Sequence, residues 1–245
     1  MSSLIMKIRD HYFRDIINQI NDMETSINVI VNSPKYVHKD SAGFNGVMSR
    51  KLAFNEILGC YQFNNLIETG TYLGDTTGYF AITTNKTVYS CEKNKRLYQL
   101  AQLRLSEIKN INLYNMDSRE FIKKICQQKN IINDECFVYL DAHWGKDIPL
   151  KEEINLIATN FKKYIIMIDD FKVPSDTGYV HDSYGTLEYI NMTELKNKYN
   201  MNAYFPTTLS SKEPHPPTGF VVLAPNGNYG NILNKVKLIK EYEIG

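Results

Sequence analysis

Residues 65–77 read NLIETGTYLGDTT. A short, mostly apolar run passes through Glu68 into two glycines, Gly70 and Gly74, and then into Asp75 and Thr76, residue types that cap helices. This is a strand, a tight turn and the start of a helix. Glycines at such a turn permit positive φ and close approach to the backbone, so a ligand can lie over the helix N-terminus. The same rhythm recurs downstream. Strand candidates are TVYSCE (87–92), INLYNM (111–116), CFVYLDA (136–142) and YIIMID (164–169), and helix-like segments fall at 75–83, 94–109, 118–129 and 149–162. Nearly continuous apolar strands alternating with amphipathic helices predict an α/β, doubly wound, Rossmann-like and mostly parallel sheet covered on both faces. Farther on, a helix at 186–199 precedes NAYFPT and GFVVLAP, two strands separated by the Pro-rich turn SSKEPHPP. They predict an antiparallel C-terminal edge hairpin, followed by a turn and a short surface helix.

The remaining sequence adds an N-terminal helical segment and loop (1–44) to a main domain spanning 45–245. Ile5, Ile8, Tyr12, Ile16, Ile20, Met23, Ile27 and Ile30 recur at steps of three and four and draw one stripe down a helix. Either the stripe packs on the main domain or it is a self-association surface that makes a homo-oligomer. A net charge of +1 with dispersed basic residues gives no reason to expect nucleic acid as a partner. The N-terminus is broken by charge too early for a signal peptide, and no apolar run approaches the roughly 20 residues of a membrane span, so a cytoplasmic protein with no membrane partner is expected. Cys60, Cys91, Cys126 and Cys136 form no CxxC pair and are expected to be buried free thiols.

In such a sheet the ligand sits beyond the carboxyl ends of the strands. The first strand ends in the E-x-G-x-x-x-G pattern of Glu68, Gly70 and Gly74; the dinucleotide fingerprint G-x-G-x-x-G and the phosphate-loop signature are both absent. The second strand ends at Glu92, placed to accept from two ribose hydroxyls or to cap the next helix. The third ends in Asp117-Ser118, suited to an adenine edge or to a helix N-cap. Taken in order with the strand ending LDAHW, these residues resemble the class I S-adenosylmethionine-dependent methyltransferases over roughly residues 45–225. The resemblance implies that Glu68 to Gly74, with Thr71 among them and Asp75 and Thr76 beside them, hold the methionine part of S-adenosylmethionine. It implies further that Glu92 holds the ribose, that Asp117 and Ser118 face the adenine, and that Arg50, after the FNG of residues 44–46, closes over the methionine carboxylate.

Asp141 ends the fourth strand and Asp169-Asp170 end the fifth. Neighbouring strands lie about 4.8 Å apart, so their terminal carboxylates can converge on one cation. Mg²⁺ or another divalent ion needs only one or two protein carboxylates. The arrangement is similar to metal-dependent O-methyltransferases of the catechol type and of the sugar and macrolide type, with Ala142 inserted in the LDHW-like motif and Asp170 where asparagine is frequent. Methyl transfer needs a deprotonated or metal-bound oxygen in line with the methyl group. His143 is the favoured base and Lys146 its rival, with Asp141 completing the catalytic set. Trp144 supplies an apolar wall, and Tyr179, His181 and Tyr184, in the loop after the fifth strand, suit a polyol. The expected activity is methylation of a hydroxyl on a small molecule, a sugar or glycosylated metabolite among the candidates. A nicotinamide-dependent oxidoreductase and a catalytically silent scaffold are the alternatives.

Overall fold

The computed structural model describes residues 43–142, 148–182, 192–214 and 217–242, together with Phe13, Ile17, Ile20, Asn21, Met23, Glu24, Ile27 and Asn28 in helical backbone near the N-terminus. After a 3-10 turn at Phe44–Gly46, the elements are α1 (Met48–Cys60), β1 (Asn65–Thr69), α2 (Asp75–Thr84), β2 (Thr87–Cys91), α3 (Lys95–Arg104) and β3 (Ile111–Tyr114). Then come α4 (Ser118–Cys126), α5 (Lys129–Ile132), β4 (Glu135–Leu140), α6 (Leu150–Asn160), β5 (Lys163–Ile168) and α7 (Met192–Tyr199). The chain closes with β6 (Met201–Pro206), β7 (Val221–Pro225), α8 (Asn228–Leu233) and β8 (Ile239–Glu241). The strand order is β3-β2-β1-β4-β5-β7-β6-β8. The first five strands in that order are parallel, and β7, β6 and β8 are antiparallel to their neighbours.

The expected parallel sheet and its antiparallel extension are therefore both present. The tail adds to its reading: after the short helix α8 the chain forms β8, which pairs with β6 and extends the antiparallel edge by one strand. Two other expected helices are shorter, because α3 stops at Arg104 and the 118–129 segment breaks after Cys126. All four cysteines are free, but Cys60 is exposed where burial was expected.

Side-chain alternation along the strands sorts the core into two layers. Leu66, Phe137, Tyr139, Ile165, Met167, Val222 and Ala224 point to one face and pack on α1, α2 and α8. Ile67, Val138, Leu140, Ile166, Ile168, Val221 and Leu223 point to the other and pack on α4 and α6. The period of two then decides where the functional side chains go. Leu140 pairs with Ile168, so the next residues, Asp141 and Asp169, share the face that carries α1 and α2. Glu68 lies on that face as well, whereas Thr69 lies on the opposite one.

Of the N-terminal stripe, Ile20, Met23 and Ile27, with neighbouring Phe13 and Ile17, are each 53–57% exposed. Ile5, Ile8, Tyr12, Ile16 and Ile30 lie outside the described residues.

Candidate active site

The turn after β1 is built by its glycines. Gly70 sits at φ +87° and Gly74 at φ +85°. A Cβ on Gly70 would run into the Asp141 carbonyl, so this glycine lets the ends of β1 and β4 meet. Gly70 N and Thr71 N both donate to the Cys91 carbonyl, each at 3.0 Å, tying the turn to β2. Beneath it Glu68 is 1% exposed and accepts from Thr77 and, at 2.6 Å, from Ser90, whose hydroxyl lies 2.6 Å from that of Thr71. Burial pushes the Glu68 carboxyl up to about 7, although the two hydroxyl donors oppose the rise.

Several expected cofactor residues have structural partners. Asp75 takes both terminal nitrogens of Arg104 at 3.1 Å. Thr76 accepts the Phe44 amide at 2.8 Å and so latches the 3-10 turn to α2. Glu92 accepts the amides of Tyr72 (2.9 Å) and Asn94 (2.8 Å), closing the turn after β2 while leaving one lone pair on each oxygen for further donors. Asp117 caps α4 through the Arg119 amide at 3.0 Å, and the Arg119 side chain, with burial opposing and Lys93 assisting, holds its carboxyl well below the usual carboxylate range. Ser118 is 6% exposed.

Arg50 departs most from the expectation. Its side chain is fully buried, ion-paired to Asp169 and 3.9 Å from Asp170. It also donates to Tyr139 Oη (3.2 Å), Thr218 Oγ1 (2.7 Å) and the Gly219 carbonyl (3.4 Å). A guanidinium so committed has no reach left for a methionine carboxylate; the correction is that Arg50 belongs to the acidic cluster. Burial works against its charge, yet Asp169, Tyr139, Asp170 and Asp141 together hold its pKa above the ordinary arginine value.

The cluster itself is assembled as expected. Asp141, Asp169 and Asp170 each offer an oxygen, and these oxygens lie within 4.8 Å of one another. Asp169 also accepts from Tyr139 Oη at 2.8 Å. Burial, then the neighbouring acids, raise Asp141 well above the normal range and Asp170 to about 7, against the pull of Arg50. Three carboxylates and one guanidinium leave two negative charges when ionised. A divalent cation balances that pair, so the donor set fits a hard, oxygen-preferring ion.

Two contributors had no clear signal in the sequence. Asn45 sits in a run of left-handed residues, Gly43 to Gly46, and its Nδ2 donates to Asp169 at 3.2 Å and to Asp141 at 3.4 Å. Asparagine tolerates that backbone region, and the Asn-Gly pair was its only trace. Tyr139 looked like an ordinary core residue of β4; its hydroxyl gains meaning only from Arg50 and Asp169.

On the substrate side, Tyr179 is 3% exposed and donates to the Thr208 carbonyl at 2.9 Å, so it closes the loop and is not free to face a polyol. His181 is partly exposed, next to Asp182, whose amide binds the Asp170 carbonyl. His143, Trp144, Lys146 and Tyr184 lie outside the described residues.

No protein-family model matches the chain, and no curated protein matches it by sequence. Solved structures do match its shape. An O-methyltransferase from Bacillus cereus in complex with SAH aligns at TM-score 0.54 and 12% identity, over 82% of this chain and 87% of that one. Cofactor-bound Rv0187 from MTB aligns at 0.52 and 13%, covering 74% and 80%. The methyltransferase domain of bacterial CtHen1-C aligns at 0.51 and 12%, covering 76% and 100%. The strand order, the turn after β1 and these alignments agree that the chain has the class I methyltransferase fold.

Proposed function

We propose that the chain is an S-adenosylmethionine-dependent O-methyltransferase that acts on a hydroxyl of a small molecule, with a sugar or glycosylated metabolite as the favoured acceptor class and a divalent cation as an aid. One observation carries this reading: Asp141 and Asp169 end in register on one face of the sheet, with the backbone of Asp141 against Gly70 of the first turn. This supports a reading in which the cofactor and acceptor subsites adjoin.

S-adenosylmethionine supplies an electrophilic methyl group. The chain's part is to hold and orient. The Glu68–Gly74 turn and the start of α2 receive the methionine end, Glu92 the ribose hydroxyls, and Asp117 with Ser118 the adenine. Asp141, Asp169 and Asp170 would hold Mg²⁺ or a similar ion, whose Lewis acidity favours the ionised form of an acceptor hydroxyl. Arg50 and Asn45 keep the carboxylates apart and oriented. The hydroxyl proton passes to His143, with Lys146 the rival base, and Trp144 walls the acceptor site.

Calorimetric titration with S-adenosylmethionine tests the reading, and no heat at millimolar ligand would overturn it. Asp141→Asn should weaken Mn²⁺ binding at least tenfold and leave the S-adenosylmethionine affinity within a few fold. Full turnover in excess chelator would remove the cation from the scheme and leave the base alone.

A further inference from the structure

Asn45 is exposed, and it reaches the acid cluster from a backbone that few residues adopt. Gly43, Phe44, Asn45 and Gly46 have φ of +43°, +54°, +55° and +80°, left-handed residues in a row. For a phenylalanine this region is costly, so the surroundings must impose it. The Phe44 ring is packed among Phe54, Tyr79, Phe80 and Tyr139 at centroid distances of 5.2–5.9 Å, and its amide is held by Thr76 Oγ1 at 2.8 Å. The turn thereby fixes the Asn45 carboxamide against Asp141 and Asp169.

An ionised carboxylate offers about four lone pairs. On Asp169 all are taken: Arg50 and the Asp170 amide (2.6 Å) meet Oδ1, while Tyr139 (2.8 Å) and Asn45 (3.2 Å) meet Oδ2. Arg50 and Tyr139 are fully buried and the Asp170 amide is part of the chain, so only Asn45 can give up its place to a cation. Its contact is also the longest of these, and its contact with Asp141 is longer still at 3.4 Å, where a donor facing a carboxylate normally comes closer. Half a turn of the carboxamide about χ2 exchanges Nδ2 for Oδ1, an acceptor, and moves no other group. Oxygens that share an edge of an octahedral shell lie about 1.4 bond lengths apart, about 2.9 Å around Mg²⁺ and about 3.3–3.7 Å around Ca²⁺. The 3.2 and 3.4 Å spacings fall in that span. We propose that Asn45 is a ligand of the cation: its NH₂ group faces the free carboxylates, and its Oδ1 joins Asp141, Asp169 and Asp170 on a bound ion. This rests on the cation-assisted reading above and adds to it a neutral ligand from the turn before α1.

Calorimetric titration of the full chain with MnCl₂, paired with the water-proton relaxivity of the bound Mn²⁺, tests this without turnover. Asn45→Gly removes the carboxamide and tolerates positive φ, so the turn is kept. It should bind Mn²⁺ about tenfold more weakly, the scale of losing a supporting contact at a metal site. Its bound Mn²⁺ should also relax water faster than in wild type, because a water takes the place of the lost ligand. Asn45→Asp keeps an oxygen on a residue that also tolerates this backbone. That variant should match the wild-type relaxivity and bind Mn²⁺ at least as tightly. If Asn45 serves only as a donor to the carboxylates, its removal frees a lone pair of Asp169, and Asn45→Gly would bind Mn²⁺ equally or more tightly at unchanged relaxivity. That result overturns the inference and leaves the cation reading standing, whereas no Mn²⁺ binding by wild type overturns both.

Discussion

Replacing Arg50 by methionine removes the buried guanidinium and leaves Asp169, also 0% exposed at its side chain, facing Asp141 and Asp170 without a cation. Breaking one partner out of a buried ion pair costs about 3–5 kcal/mol, because the remaining charge is stranded. The carbonyl of Gly219 and the hydroxyls of Thr218 and Tyr139 lose a donor in the same step. For a chain of this size each kcal/mol shifts the melting midpoint by about 2–4 °C, so the variant should melt about 6–20 °C below wild type in the presence of a chelator. Differential scanning calorimetry measures this. Adding Asp169→Asn should restore more than half of the loss, since the stranded charge disappears and only unfilled hydrogen bonds persist. Saturating Mg²⁺ should raise the midpoint of Arg50→Met more than that of wild type, because three uncompensated carboxylates bind a divalent ion more strongly than two. A single variant within about 1 kcal/mol of wild type would refute the claim that Arg50 neutralises the cluster.

The buried acids make stability depend on pH in an unusual direction. Glu68 and Glu153 are pushed up to about 7 by burial, so between about pH 4.3 and 7 the folded chain binds protons that the unfolded chain has released; stability therefore falls as pH rises through that window. Asp117, held low mainly by Arg119, acts oppositely, but its stabilisation is lost only below about pH 4. Urea denaturation in chelator should thus give a higher midpoint at pH 5.5 than at pH 8, and a rising midpoint would contradict the burial. Gly70→Ala should cost about 2 kcal/mol or more, through its positive φ and its collision with the Asp141 carbonyl, and should weaken Mn²⁺ binding as Asp141 is pushed aside; an unchanged Mn²⁺ isotherm would separate the turn from the cation site. If the exposed N-terminal stripe joins two copies of the chain, light scattering should find an oligomer in wild type and a monomer in Ile20→Asp/Ile27→Asp.

The sheet was legible because its signals are local. Five apolar runs, each followed by a helix-period segment, fix a parallel doubly wound order, and the polar residues at their ends mark the crevice. Side-chain alternation then carries Asp141 and Asp169 to one face, a deduction available from the strand alignment alone. The illegible part depends on contacts between distant segments. Nothing in the sequence around Arg50 says that it will meet Asp169 and Thr218, so a long basic side chain before a ligand-binding sheet was assigned to the ligand. Tyr179 was misplaced for a similar reason: an aromatic in a loop reads as exposed until the backbone of Thr208 is found against its hydroxyl. Strand β8 is three residues long, too short to leave a periodic pattern.

The first turn of α1 has one more property. Its Met48 and Ser49 amides are capped by the Glu213 carboxylate at 3.1 and 2.8 Å, and Arg50 behind them is held by Tyr139, Asp169, Thr218 and Gly219. All of these partners are made later than the helix they hold. As the chain leaves the ribosome, β1 to β5 can be complete while α1 still lacks its cap and part of its anchor, because residues 213–219 have not emerged. A chain stopped before Glu213 would have the parallel strands and all three aspartates in place, but α1 would lack its cap and Arg50 would lack its contacts to Thr218 and Gly219.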